Sequence, residues 1–149
     1  MKLTIVCLLV ILCFHYTAVA QKKAVTVDHI AIHVRNLDSS TKFYEKYFHF
    51  DTLPNPFPKY PVRWFRINEQ TQLHMVQGLD KPVSLPPLSH FCLSISSFDT
   101  FVETLVRDNI TYYDGLGTPN KMTVRGDGVK QVLFKDPDSY WIEVNNANH

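Results

Sequence analysis

His29-Ile30-Ala31-Ile32 and His90-Phe91-Cys92-Leu93 stand 61 residues apart and open two copies of one segment. At the same offset Val34 lies over Ile95, and Leu37-Asp38-Ser39 lies over Phe98-Asp99-Thr100. Further along, Gln72-Leu73-His74-Met75-Val76 matches Tyr140-Trp141-Ile142-Glu143-Val144, with His74 over Glu143 once the second copy takes a longer loop. A duplication of this kind makes two halves of one fold and sets equivalent residues about one pseudo-symmetry axis. His29, His74, His90 and Glu143 fill two pairs of equivalent positions, so the duplicated sheet is expected to bring them to one site.

The first twenty residues stand apart. Lys2 precedes an apolar run from Leu3 to Phe14 and the small-residue tripeptide Ala18-Val19-Ala20, which reads as a secretory leader cleaved after Ala20. The run is short of the roughly 20 residues a membrane span needs, and no later segment replaces it, so no membrane association is expected once the leader is gone. Cleavage removes Cys7 and Cys13 and leaves Cys92 without an intrachain partner. Residues 21–149 are enough for one domain with a substantial core. Of 15 Lys and Arg only Lys2 falls in the leader, against 14 Asp and Glu outside it, so the mature chain is balanced in charge and is not expected to bind nucleic acid. Asn109-Ile110-Thr111 fits a glycosylation sequon.

Each half reads as a strand, a helix and further strands. Alternation from Val27 to Val34 puts His29, Ala31 and His33 on one face, and His90, Cys92, Ser94 and Ser96 repeat that face in the second half. Asp38 and Asp99 are placed to cap helices over residues 39–48 and 100–108. Phe43, Tyr44, Tyr47 and Phe48 form an apolar stripe on the first, and Phe101, Val102, Leu105 and Val106 one on the second. Strands are expected over 50–53, 62–67, 72–77, 110–113, 129–135 and 140–145, with Asp136-Pro137-Asp138-Ser139 as a turn. Prolines in the segment 81–88 keep it extended. The boundaries are a module at about residues 25–80, a linker over 81–88 and a second module at about 89–146. The connection 114–128, bracketed by glycines, suits a lid or a plain surface excursion.

Asp28-His29-Ile30-Ala31, Phe43-Tyr44, Gln72-Leu73-His74, His90 and Asp136-Pro137-Asp138-Ser139-Tyr140-Trp141-Ile142-Glu143-Val144 together resemble the vicinal oxygen chelate superfamily, nearest its glyoxalase-like members. The resemblance covers nearly the whole mature chain. It implies an α+β fold of two βαβββ modules whose sheets curl around a metal cavity. It also implies a divalent ion (Zn, Ni, Fe, Mn or Co) held by His29, His74, His90 and Glu143, a small-molecule substrate, and a homodimer as an available assembly. Imidazole and carboxylate are ordinary ligands for such ions. Three histidines and one carboxylate leave more positive charge on a dication than two and two, which favours Lewis acidity.

His33, Cys92, Ser94 and Asn145 lie along the faces that carry these ligands, and Trp64 and Arg66, with Arg63 and Phe65 nearby, suit a substrate wall. In the nearest family activity a ketoaldehyde hemithioacetal chelates the metal and a carboxylate, here Glu143, removes the carbon-bound proton before an enediolate is reprotonated. Relatives of that type place an arginine at the position of His33 and an asparagine at that of Gly78, both serving glutathione. Their absence here points to another substrate. The expected function is that of a secreted or lumenal metal-dependent glyoxalase-like enzyme of isomerase or lyase type. The alternatives are a ring-cleaving dioxygenase and a non-catalytic metal or small-ligand binding protein.

Overall fold

The computed structural model describes residues 25–148. The leader assigned to residues 1–20, its two cysteines and the cleavage point lie outside the described residues. From Val25 onwards the chain forms β1 (His29–Val34), α1 (Leu37–Phe48), β2 (Asp51–Leu53), β3 (Val62–Arg66) and β4 (Gln72–Gln77). The second half follows with β5 (His90–Ser94), α2 (Phe98–Arg107), β6 (Thr123–Val124), β7 (Lys130–Lys135) and β8 (Trp141–Asn145). The first sheet has the order β1-β4-β3-β2 and the second β5-β8-β7-β6. In each, the opening strand runs parallel to the last and the others pair antiparallel. This is the expected pair of βαβββ modules.

Period-two patterning decides which face each sheet buries. Ile32 and Val34 of β1, Leu73 and Met75 of β4, Leu93 of β5 and Ile142 and Val144 of β8 all enter one core. Both helices contribute side chains to that core. Phe43, Tyr47 and Phe48 of α1 meet Phe134 of β7 at ring-centroid distances of 6.0, 6.4 and 6.2 Å, and Tyr47 and Phe48 meet Phe101 of α2 at 6.5 and 5.6 Å. Because this aromatic layer joins the helical sides of both modules, their histidine-bearing faces turn outwards. The sheets therefore do not close around a common cavity within one chain.

The Asp-Pro-Asp turn clamps the second module to the first. Asp138 accepts from the backbone N–H and Nε of Arg35 and from the hydroxyl of Ser40, and Asp136 accepts from the hydroxyl of Tyr44 at 2.9 Å. Both carboxylates are buried. Burial pushes the Asp136 carboxyl up to about 6, against the opposing pull of the Tyr44 hydroxyl and two backbone amides.

Several local expectations are corrected. Asn36, rather than Asp38, caps α1 by accepting from the N–H of Ser39, and Ser97 precedes α2 without a side-chain cap bond. Asp38 and Asp99 instead sit in the first turns and pair with Arg63 and Lys130. Residues 110–113 are no strand: Tyr113 alone bridges to Leu133 and Pro119. The strand at the rim of the second sheet comes from within the 114–128 connection, as β6. No helix among the described residues is long and apolar enough to cross a membrane.

Candidate functional site

The four proposed ligands form two half-sites. Parallel pairing of β1 with β4 sets His29 and His74 in neighbouring rows, where their rings stack at 4.3 Å with 15° between planes. Antiparallel pairing of β3 puts Trp64 directly opposite His74, and the indole stacks on that imidazole at 3.9 Å and 10°. Arg66, two residues along β3, shares the face. Arg63, on the other face, donates to the Thr41 hydroxyl and to Asp38 and is committed to α1.

In the second module β5 and β8 run parallel with Cys92 opposite Glu143 and Ser94 opposite Asn145. His90 Nε2 lies 3.5 Å from a Glu143 oxygen. The other Glu143 oxygen accepts from the Cys92 thiol at 3.2 Å and from the Asn145 amide at 3.4 Å, and Gln131 donates to the oxygen nearest His90 at 3.1 Å. Burial, reinforced by Glu143, pushes the Cys92 thiol up to about 12, so Cys92 stays protonated and is a hydrogen-bond donor rather than a thiolate. Ser94 is directed to the carbonyl of Ala147.

Within one chain these pieces do not meet. Among the described residues no group of three or more His, Cys, Asp or Glu side chains is placed to hold a metal ion. The physical reason is the aromatic layer described above, which turns the two faces outwards. Each half nevertheless has the preparation a ligand set requires. His29 Nδ1 is 2.6 Å from an Asp28 carboxylate oxygen, His90 Nδ1 is 2.7 Å from the Pro87 carbonyl, and His74 Nε2 is 2.9 Å from the Gln72 side-chain oxygen. An acceptor on one ring nitrogen fixes the proton there and leaves the other nitrogen with its lone pair free, the arrangement metal-bound imidazoles use. Burial, with the neighbouring His29, also lowers the His74 pKa, which favours the neutral ring that coordinates a metal. The donor set fits a divalent ion chemically, two histidines from one half and a histidine with a carboxylate from the other.

Sequence reasoning missed the partners that orient these groups. Asp28 was within reach, because it directly precedes the first histidine. Gln72 stands two residues before His74 on the same face of β4, inside the Gln72-Leu73-His74 motif but with no role assigned to it; Gln131 carries no pattern of its own, and the pairing of β7 with β8 reveals it. His33 lies on the face of His29, and its side chain abuts Gly78: a Cβ added at Gly78 would come within 3.3 Å of His33 Nδ1. The departures at these two positions are therefore one spatial feature.

A cavity of about 580 Å³ opens between the start of β1, the β3–β4 turn and β5, lined by Val27, Ile30, Ile67, Phe91, Cys92 and Leu93 among others.

The architecture recurs in solved structures. Oxidase ChaP-H2 superposes with a TM-score of 0.69 at 18% identity, covering 84% of this chain and 95% of that one. A glyoxalase/dioxygenase from Nostoc punctiforme gives 0.65 at 22% identity, covering 80% and 89%. The genomically encoded fosfomycin resistance protein FosX from Listeria monocytogenes gives 0.63 at 17% identity, covering 84% and 95%. At these identities the likeness is one of fold. No curated protein sequence gives a significant match. Residues 26–144 match the family model of the glyoxalase/bleomycin resistance protein/dioxygenase superfamily. With most of the chain under that model, and with both βαβββ modules formed, the chain belongs to this superfamily.

Proposed function

We propose that this chain is a secreted or lumenal, metal-dependent enzyme of isomerase or lyase type acting on a small oxygen-chelating substrate. His29 and His74 of one copy and His90 and Glu143 of a second copy together hold the ion. The observation that carries this reading is the separation of two prepared half-sites on outward faces of one chain. A second copy related by a twofold axis lays the first-module face of each chain against the second-module face of the other and completes two sites at once.

A bound divalent ion supplies Lewis acidity towards adjacent substrate oxygens. Glu143 removes and returns a proton at substrate carbon. Cys92, Asn145 and Gln131 fix the carboxylate orientation through the bonds described. Trp64 holds the His74 ring and offers a flat wall to the substrate, with Arg66 and His33 on the same face and Ser94 contributed by the other copy.

Metal analysis of protein purified without an affinity-column metal is expected to find one ion per chain, lost in His90→Ala. Glu143→Gln should keep part of the metal and lose proton-transfer activity, because the amide coordinates weakly and cannot act as a base. Wild-type protein that takes up no divalent ion refutes the reading.

Oxygen uptake with an aromatic diol would instead indicate ring cleavage; an oxidase and a glyoxalase/dioxygenase stand among the structural neighbours. Non-catalytic capture of a small ligand is favoured by the apolar cavity beside Phe91; retained ligand binding with no turnover would identify it.

A further inference from the structure

We propose that Asn109 carries an N-linked oligosaccharide, which rests on the secretory reading above. Asn109 follows the last turn of α2 with φ of 57°. Its backbone N–H donates to Val106, and the next N–H, of Ile110, donates back to Leu105, so the residue closes the helix in the left-handed conformation. Asparagine tolerates that conformation better than most residues, and this alone accounts for its backbone. It does not account for the side chains. The Asn109 amide and the Thr111 hydroxyl are both exposed, and neither has a hydrogen-bond partner among the described residues.

The surroundings accommodate a sugar. A groove of about 420 Å³ beside the amide is lined by Val106, Asn109, Ile110, Thr111 and Asn120, and Val106 is 59% exposed. Val106 and Ile110 in that lining suit the less polar face of a first N-acetylglucosamine, and Asn120 adds a polar amide. None of these residues belongs to either half-site. The modification is a transfer from a lipid-diphosphate-linked oligosaccharide. The bond from the anomeric carbon to Asn109 Nδ2 forms, the bond from that carbon to the diphosphate oxygen breaks, the amide gives up one proton, and the lipid diphosphate leaves. The glycan then covers the end of α2 and closes this face to a second copy, so that association is confined to the histidine-bearing faces.

The test expresses the full chain in a eukaryotic host that glycosylates secreted proteins. Intact mass is read before and after peptide N-glycosidase, alongside Asn109→Gln, Thr111→Ala and Thr111→Ser. The secreted wild type is expected to be heavier than its polypeptide and to collapse on enzyme treatment with Asn109 converted to an aspartate. Thr111→Ser should keep the added mass; Thr111→Ala, which leaves the helix-closing asparagine in place, should lose it, as should Asn109→Gln. A chain recovered from the medium at bare polypeptide mass overturns this proposal alone. A chain that stays in the cytosol with its first twenty residues attached overturns the secretory reading and this proposal with it.

Discussion

Replacing Asp136 by Asn should flatten one component of the pH dependence of folding. The carboxyl is 5% exposed and stands at about 6 in the folded chain against an ordinary 3.8, so the native state binds this proton more tightly than the unfolded state. Its stabilising contribution is fully present below the unfolded value and is lost as pH rises through the folded one. The displacement amounts to roughly 3 kcal/mol in all, of which about 1.4 kcal/mol falls between about pH 7.5 and pH 5. Asparagine fits the same place: its oxygen can keep the N–H groups of Asp138 and Tyr140, and its amide can donate to the Tyr44 hydroxyl. Urea unfolding of both chains at the two pH values, with a chelator present to remove metal linkage, gives the answer as a double difference. Groups that titrate in the opposite sense, His74 among them, cancel in it. Wild type should gain about 1.4 kcal/mol more than Asp136→Asn on acidification. An equal change in the two proteins would show that Asp136 is not held as a strained buried carboxylate.

Phe134→Ala removes a fully buried ring that contacts Phe43, Tyr47, Phe48 and Phe101. It should cost about 3 to 5 kcal/mol in chemical denaturation, and a loss under about 1 kcal/mol would mean that this ring does not join the modules. The glutathione hemithioacetal of methylglyoxal should be a poor substrate for the metal-loaded protein. His33 and Gly78 supply no clamp for its carboxylates, and two missing charge-assisted hydrogen bonds at about 1.5 to 3 kcal/mol each weaken recognition by hundreds-fold or more. Saturable turnover at low micromolar substrate would show that other residues, with Arg66 on the site face the first to examine, have taken over the clamp.

The sequence carried the modules because period-two alternation and helical stripes are local signals, and the duplication repeated both. The equivalence of His29 with His90 and of His74 with Glu143 could be read from the duplication, and the family resemblance grouped His29 with His74 and His90 with Glu143. How the halves face each other could not. Ile32, Val34, Leu93 and Val144 are buried, and alternation marks them as a buried face without saying what that face meets. The deciding contacts run from Phe43, Tyr47 and Phe48 to Phe134, and a stripe of aromatics does not announce its partner. Tyr112 and Ile110 read as part of a strand for a related reason: Tyr112 is buried, but in an irregular segment that makes only one bridge. The Asp-Pro-Asp turn was legible as a turn, whereas its role as the clamp on Arg35, Ser40 and Tyr44 depends on tertiary contact alone.

In the proposed dimer one metal site draws ligands from two copies, and complementation tests that arrangement. One variant carries His29→Ala with His74→Ala; the other carries His90→Ala with Glu143→Ala. Neither alone can form a site in either arrangement. Co-expressed, half of randomly assorted dimers are mixed, and each mixed dimer has one intact site and one empty of ligands. The co-expressed preparation is therefore expected to bind about a quarter of the wild-type metal per chain, while each variant alone binds none. A mixed preparation that forms dimers and stays metal-free would contradict a site shared between two copies.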